Sequence, residues 1–534
     1  MRRWNGWGET HITYPLPESA RRYLSALVGE GEPIPDAGLQ DVLTTVPASR
    51  LPNHPAITHD PYERLTHARG QSLPDWIALR YGRIASFPDG VACPASEEEV
   101  RALIAFAEET GAHLIPYGGG TSVVGHINPF PGDAPILTID LSRLNLLLHL
   151  DEKSRLATFG AGVSGPRLEA QLRSHGYTLG HYPQSFEYST LGGWVATRSS
   201  GQQSRFYGRI EDLFAGGRLE TPTGTLELPP HPASAAGPDL RQCVLGSEGR
   251  LGILTRVVVR VRPAPRHESF RAYFFHDWEA GVEAVRAIAQ AGLRLSMVRL
   301  SDPLETETTL ALAGKERLIA WADRGLKLLG YGARRCLLLL GFTIEDGQER
   351  IARQERRVAE HIVGTWGGLS VGTLIGEQWR RSRFRTPYLR NTLWKHGYAL
   401  DTLETAVPWE KVQETAADIL SALRSGLEEE GERVLAFAHI SHVYNTGASI
   451  YVTYLYRRTA DPDETLARWE RLKRAASRAI LTHGGTISHQ HGVGLDHAPY
   501  LAEEKGRAGL SLLQALCRTL DPRGMMNPGK LLPP

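Results

Sequence analysis

Pro116-Tyr117-Gly118-Gly119-Gly120-Thr121-Ser122 follows directly on Leu114 to Pro116, a short run that reads as a strand. Three successive glycines let a backbone take positive φ and turn its N–H groups inward as an anion nest, and Thr121 and Ser122 add hydroxyl donors. A diphosphate fits such a loop. Taken alone the run reads as a tight turn before it reads as a site, so its surroundings decide.

Upstream, Ser96 to Thr110 predicts a helix with a Glu-rich first turn, ended by Gly111, which gives β-α-β punctuation around the loop. Downstream, strands are predicted at Ile136–Asp140 and Leu156–Gly160 and a helix at Pro166–His175. A second loop then runs from Gly180 to Gly208. Its stretch Pro183 to Gly201, with Gln184-Ser185-Phe186-Glu187-Tyr188-Ser189-Thr190 and Thr197-Arg198-Ser199-Ser200 at its two ends, is dense in Gly, Ser and Thr, yet it carries apolar Leu191, Trp194 and Val195. That mixture suits backbone buried against a ligand better than a solvated linker. A third element, Glu248-Gly249-Arg250-Leu251-Gly252-Ile253-Leu254, leads into a strand predicted over Leu251–Arg262, and Pro263 and Pro265 mark a boundary. Beyond it, helix and strand patterns alternate from Phe270 to about Ser488, with Cys336 to Phe342 reading as a buried strand. Leu495 to Pro534 is helical and then loop-like.

These loops, in this order, resemble the FAD-binding domain of the vanillyl-alcohol-oxidase-like, PCMH-type flavoproteins. The pattern is not the dinucleotide fingerprint, since no G-x-G-x-x-G opens a helix. The resemblance implies an α+β chain: an N-terminal helical extension over 1–87, a two-subdomain FAD-binding domain over 88–265, an α/β cap domain with a mainly antiparallel sheet over 266–494, and a C-terminal segment over 495–534 returning to the flavin side. FAD is expected to be held without a covalent bond by the named residues of the three loops, and His126 is read as an ordinary loop residue.

Trp4-Asn5-Gly6-Trp7-Gly8, Tyr207-Gly208-Arg209-Ile210-Glu211-Asp212-Leu213 and Leu403-Glu404-Thr405-Ala406-Val407-Pro408-Trp409 extend the likeness to the alkyldihydroxyacetonephosphate synthase family. In that family the fatty acid of an acyl-dihydroxyacetone phosphate is exchanged for a long-chain alcohol with no net oxidation, the substrate carbon being held as an adduct at flavin N5. The resemblance assigns Arg390 to the acyl carboxylate or substrate head, Arg299 to the flavin's surroundings and Tyr451 to proton transfer. Three successive histidines are the family pattern where this chain has His489-Gln490-His491, so the base falls to His489 or His491. Extended, a His-x-His pair would put both imidazoles on one side.

The rival on the same fold is an FAD-dependent oxidoreductase of a 2-hydroxy acid such as D-lactate or glycolate, which resembles the chain over Gly484 to Gly494. It usually places a carboxylate before the histidine and supplies more histidines from the preceding strand. Here Gln490 and Tyr451 stand at those places, so no metal is expected. A third reading, a flavin-binding scaffold without turnover, rests on the lost middle histidine, and Arg299, Arg390 and Tyr451 speak against it.

The 60 basic and 59 acidic residues leave a net charge of +1, which supplies no field for nucleic acid. Four scattered cysteines without a C-x-x-C pair argue against zinc-ribbon and dithiol chemistry and suit a reducing compartment. No signal peptide or peroxisomal C-terminal address is recognisable, so a cytoplasmic enzyme is expected, with lipid-like small-molecule substrates and a homodimer as its assembly. Glu316 to Gly330 plots as an amphipathic helix with Leu318, Ile319, Ala322, Leu326 and Leu329 on one face. It reads first as a core-facing helix, and second as a rim for peripheral membrane contact.

Overall fold

The computed structural model describes residues 1–312 and 323–532. Among these, β1 (Ile57–Thr58), β2 (Gly90–Ala92), β3 (His113–Tyr117) and β4 (Ile136–Asp140) form a sheet ordered β1-β2-β4-β3. β4 is parallel to both β2 and β3. Parallel pairing needs a crossover, and the Glu97–Thr110 helix provides it. Ser96 caps that helix by accepting from the Glu99 amide, and Gly111 ends it in the left-handed region. Val100, Leu103, Ile104 and Ala107, at helical spacing, bury against the sheet.

β5 (Leu147–Asp151), β6 (Leu156–Gly160), β7 (Tyr177–Thr178), β8 (Phe214–Thr221), β9 (Gly224–Leu228), β10 (Ile253–Arg260) and β11 (Arg262–Pro263) follow. Five of them make an antiparallel sheet ordered β5-β6-β10-β8-β9, and β7 pairs with β11. β12 (His267–Phe275), β13 (Met297–Ser301), β14 (Cys336–Ile344), β15 (Leu369–Ser370), β16 (Tyr398–Pro408), β17 (Leu435–Val443) and β18 (Gly447–Arg457) form the third sheet, ordered β15-β12-β14-β13-β17-β18-β16 and antiparallel throughout. The expected α+β class, with an antiparallel cap sheet beside the FAD-binding domain, is the architecture of the chain.

Alternation along the third sheet sets up the site. Ala436, Ala438 and Ile440 of β17, with Ile450, Val452, Tyr454 and Tyr456 of β18, pack in one core with residues of the Trp278–Gln290, Val412–Ser425 and Pro462–Thr482 helices. The intervening Leu435, Phe437, His439 and Ser441, and Tyr451, Thr453 and Leu455, line a cavity instead. Tyr451 therefore faces away from Tyr454 and Tyr456.

β4 and β6 have the predicted bounds, and the apolar run from Cys336 forms β14. Three details differ. The strand expected from Leu251 starts at Ile253, because Gly252 takes φ +152 in the turn before it. Within the N-terminal extension, four helices are joined by β1, which pairs onto β2. Of the helix expected over Glu316–Gly330, residues 316–322 lie outside the described residues; Leu326 packs beside Phe274 and Tyr331, whereas Leu329 is exposed where the helix gives way to Gly330 at φ +91.

Candidate functional site

A cavity of about 990 Å³ lies between the glycine loops and the alternating face of the third sheet. Of the three glycines only Gly120 takes positive φ, +64. Gly118 and Gly119 serve close approach instead: a Cβ on Gly118 would strike the Thr190 hydroxyl, and one on Gly119 the Tyr188 carbonyl. The second loop is thereby seated on the first. Thr121 and Ser185 line the cavity with no side-chain hydrogen bond among the described residues.

His126 is not an ordinary loop residue. It is buried on the cavity wall, its Nδ1 2.9 Å from the Ser122 hydroxyl and its Nε2 3.2 Å from Glu248 Oε1. Glu248, at φ +54, accepts the Val493 amide at 2.5 Å and the Gly494 amide at 2.9 Å, while its carbonyl accepts Asn527 Nδ2 at 2.7 Å. One residue of the third loop thus ties together the glycine loop, the histidine loop and the C-terminal segment. A glycine cradle with free hydroxyls, opening on a cavity of this size, fits a flavin dinucleotide.

On the sheet wall, Arg299 of β13 donates to Glu305 Oε1 at 2.7 Å and lies 3.0 Å from His439 Nε2, while His439 Nδ1 lies 2.9 Å from the same Glu305 oxygen. Arg299 lies 3.2 Å from Nδ1 as well, but the Glu305 carboxylate can only accept, so Nδ1 carries the proton toward it and Nε2 is left to accept from the guanidinium. Burial pushes Glu305 up, but Arg299 and then His439 outweigh it and hold the carboxyl down at about 2. Burial and Arg299 depress His439, which stacks on Tyr451 with centroids 4.9 Å apart and planes 17° from parallel. Burial raises the Tyr451 phenol.

The two histidines of the His489-Gln490-His491 run occupy different settings, because the backbone bends at each of residues 489–491 and the extended reading does not hold. His489 Nε2 accepts from the Tyr444 hydroxyl at 2.6 Å and from Arg209 at 2.8 Å, and His489 does not line the cavity. Burial, followed by His442 and Arg209, carries its pKa well below the usual value. His491 and Gln490 do line the cavity, and His491 stands edge-on to Tyr451 at 5.6 Å.

Arg390 lies in the Thr386–Lys395 helix, over the Trp76 ring at 4.4 Å. One nitrogen donates to the Gln71 carbonyl at 2.5 Å, while the buried Nε and NH2 have no partner among the described residues. Burial lowers its pKa, opposed by Asp401 and Asp75. The N-terminal Trp4 to Gly8 segment braces this turn: the Trp7 amide donates to Asn391 Oδ1 at 3.2 Å, and Asn391 Nδ2 donates to the Trp7 carbonyl at 2.9 Å.

Among the residues assigned to the cofactor from sequence, Pro116 to Ser122, Gln184, Ser185, Ser189, Thr190, Thr197, Ser199, Ser200, Glu248, Gly249, Gly252 and Leu254 line the cavity, as do Arg299, Arg390, Tyr451 and His491. The others do not. Phe186 stacks on Phe384, Tyr188 joins Tyr388 by their hydroxyls, Arg198 pairs with Glu211, Arg250 donates to the Met526 carbonyl, and Leu251 and Ile253 are core. Glu187 keeps a buried, unpartnered Oε2 off the cavity. Sequence reasoning missed His439, Glu305, His442 and Asn527 on the wall. A signal for one of them existed: polar His439, like Ser441, alternates with apolar residues along an otherwise buried strand.

Residues 88–228 match the FAD binding domain family, and residues 264–531 match the family described as FAD linked oxidases, C-terminal domain. An alkyldihydroxyacetonephosphate synthase of Dictyostelium discoideum is 31% identical over 99% of this chain and 93% of its own length. A solved structure of an alkyldihydroxyacetonephosphate synthase superposes with a TM-score of 0.85 at 29% identity, covering 99% of both chains. A mitochondrial D-lactate dehydrogenase (cytochrome) of Arabidopsis thaliana is 25% identical over 90% of this chain and 78% of its own.

Proposed function

The chain belongs to the alkyldihydroxyacetonephosphate synthase family, and on that premise we propose that it exchanges the acyl group of an acyl-dihydroxyacetone phosphate for a long-chain alcohol, forming an alkyl ether with no net oxidation. The observation that carries this reading is Arg390. Two of its buried nitrogens have no partner among the described residues, and the residue lines a cavity that also presents Leu400, Leu435, Phe437 and Leu455. An uncommitted guanidinium beside an apolar wall suits an anion with a long alkyl chain, and a forked pair of donors suits carboxylate or phosphate. A small hydroxy acid would leave the apolar wall unused.

FAD, held non-covalently by the glycine loops, would supply an electron-accepting ring beside the substrate carbon. Tyr451 and His491 line the cavity and would transfer the proton, with His491 in the base role that His489 cannot take, since His489 Nε2 is committed to Tyr444 and Arg209. Arg299 is a positioning group in this scheme: Glu305 neutralises it, and it fixes the tautomer of His439 beneath the Tyr451 ring. The enzyme would work in the cytoplasm as a homodimer, drawing lipid substrates from a membrane surface that its helices do not cross; no helix among the described residues is long and apolar enough to do so.

The test is to incubate purified, acceptor-free protein anaerobically with acyl-dihydroxyacetone phosphate and an 18O-labelled long-chain alcohol. The label is expected in the ether product, and acid is expected to release intact FAD from the protein. Sustained dye reduction by D-lactate or glycolate, with no ether formed, would transfer the assignment to the hydroxy-acid oxidoreductases.

A further inference from the structure

Behind both proton-transfer candidates stands a carboxylate that neither family likeness nor cavity chemistry has so far assigned. Glu404 lies in β16 directly across from Tyr451 in the β16–β18 register, with side-chain exposure of 1%. Its Oε1 accepts the Gln490 amide at 2.6 Å and the His491 amide at 2.8 Å. Two consecutive N–H groups of the histidine loop are thus gripped by one oxygen. The same oxygen is 3.6 Å from His491 Nδ1.

Two leftovers on this pair point the same way. Glu404 Oε2 and His491 Nδ1 are both buried and both lack a hydrogen-bond partner among the described residues. A buried carboxylate oxygen and a buried ring nitrogen left open on neighbouring side chains are costly unless they find partners at some stage of the working cycle. Nδ1 stands 3.6 Å from the other carboxylate oxygen, Oε1, which is beyond a hydrogen bond, and a rotation of either side chain would bring the carboxylate within reach.

We propose that Glu404 is the positioning residue of the proton-transfer site, holding the histidine loop by its amides and pairing with His491 Nδ1 so that Nε2 is the nitrogen that takes the substrate proton. With Nδ1–H turned to a carboxylate, the tautomer is fixed and the imidazole is made more basic. The proton leaves the substrate carbon for His491 Nε2, the pair becomes imidazolium and carboxylate, and the proton returns in the reverse step, so no oxidant is required. The other groups facing His491 are Lys473 and His126, which lower its pKa, Asp401, which raises it as Glu404 does, and the edge of Tyr451. This role rests on the ether-forming reading for the identity of the reaction, whereas the pairing itself does not.

The experiment uses Glu404→Gln. The amide oxygen still accepts from both loop N–H groups, but the charge is gone. In FAD-loaded protein labelled with 13C at histidine Cε1, the His491 resonance, assigned by its loss in His491→Gln, is expected to titrate about one pH unit lower in Glu404→Gln than in the parent, with the flavin spectrum unchanged. In the ether-forming assay the acidic limb of kcat/KM should move down by the same amount, since the base must be neutral to act, and kcat should fall about tenfold while KM holds. Glu404→Asp, which keeps the charge, should move the limb back toward its original position. A His491 titration identical in parent and Glu404→Gln overturns the pairing, and an active Glu404→Gln enzyme with an unmoved limb overturns the positioning role. Absence of ether product from the parent would fail the reading of the reaction, and the titration would still decide the pairing.

Discussion

Tyr451 and Arg390 carry different burdens, and substitution separates them. Tyr451→Phe keeps the ring that stacks on His439 and removes only the hydroxyl, so FAD should remain bound while turnover falls by about 100-fold or more, as read by single-turnover kinetics against flavin content. Arg390→Lys keeps the charge but not the planar pair of donors that stands unpartnered, and KM for the phosphate substrate should rise about tenfold or more in steady-state assays. Equal activity in Tyr451→Phe would remove the phenol from the reaction. Both residues were legible in the sequence through the motifs around them. Glu404 carried no sign of its role there, and Glu305 went unread, because their importance comes from strand register and from a contact between β13, β17 and a helix start that no local spacing encodes, whereas the alternation along β17 did mark His439. The His489 and His491 pair shows the converse: the motif was visible, but the bends that send the two rings to different partners were not.

Among the elements, the Pro303–Leu312 helix has an unusual start. Asp302 accepts the Glu305 amide at 2.6 Å and the Ala438 amide at 2.8 Å, so one carboxylate anchors the helix carrying Glu305 to the strand carrying His439. Burial pushes its carboxyl up to about 7 against those two hydrogen bonds. The folded chain then keeps a proton that the unfolded chain gives up from its ordinary value of 3.8 upward. Unfolding therefore becomes easier as pH rises through that window, by on the order of 4 kcal/mol, and levels off above the folded value. Asp302→Asn is expected to be less stable at pH 5, since one amide loses its acceptor, yet to show a flatter fall between pH 5 and pH 8 in urea titrations. A slope unchanged by Asp302→Asn would place the titrating group elsewhere. Elements of this kind were read unevenly from sequence. β4 and β14 are almost continuously buried apolar runs and β6 alternates between buried and half-buried residues, so all three announced themselves, whereas β8 hides behind Gly216 and Gly217. Those glycines are there because a Cβ would meet the Leu228 and Arg256 carbonyls of the neighbouring strands, a requirement visible only once the strands are paired.

Over the whole molecule, the chain ends where its glycine loop begins. After the Leu501–Leu520 helix, Met526 bridges in parallel to Leu114 of β3, the Asn527 amide donates to the Leu114 carbonyl at 2.8 Å, and Asp521 accepts the amides of Met525 at 3.0 Å and Met526 at 2.8 Å. Asn527 Nδ2 then donates to the carbonyls of His126 at 3.0 Å and Glu248 at 2.7 Å, joining the first and third loops. The glycine loop is thus held by residues about 400 positions away in the chain, and the sequence did not show which residue makes that contact. Such a closure should make the cofactor loops and the cap unfold together, because the cap chain must be in place for Asn527 to reach its partners. Removing residues 521–534 is expected to leave the third sheet and its helices intact, since none of their core residues lies in that stretch, while FAD affinity falls by about tenfold or more for the lost buried hydrogen bonds. Urea unfolding followed separately by flavin fluorescence and by tryptophan fluorescence should then split from one transition into two. Retention of FAD through a single transition in the truncated protein would show that the terminal segment only rests on the loops it touches.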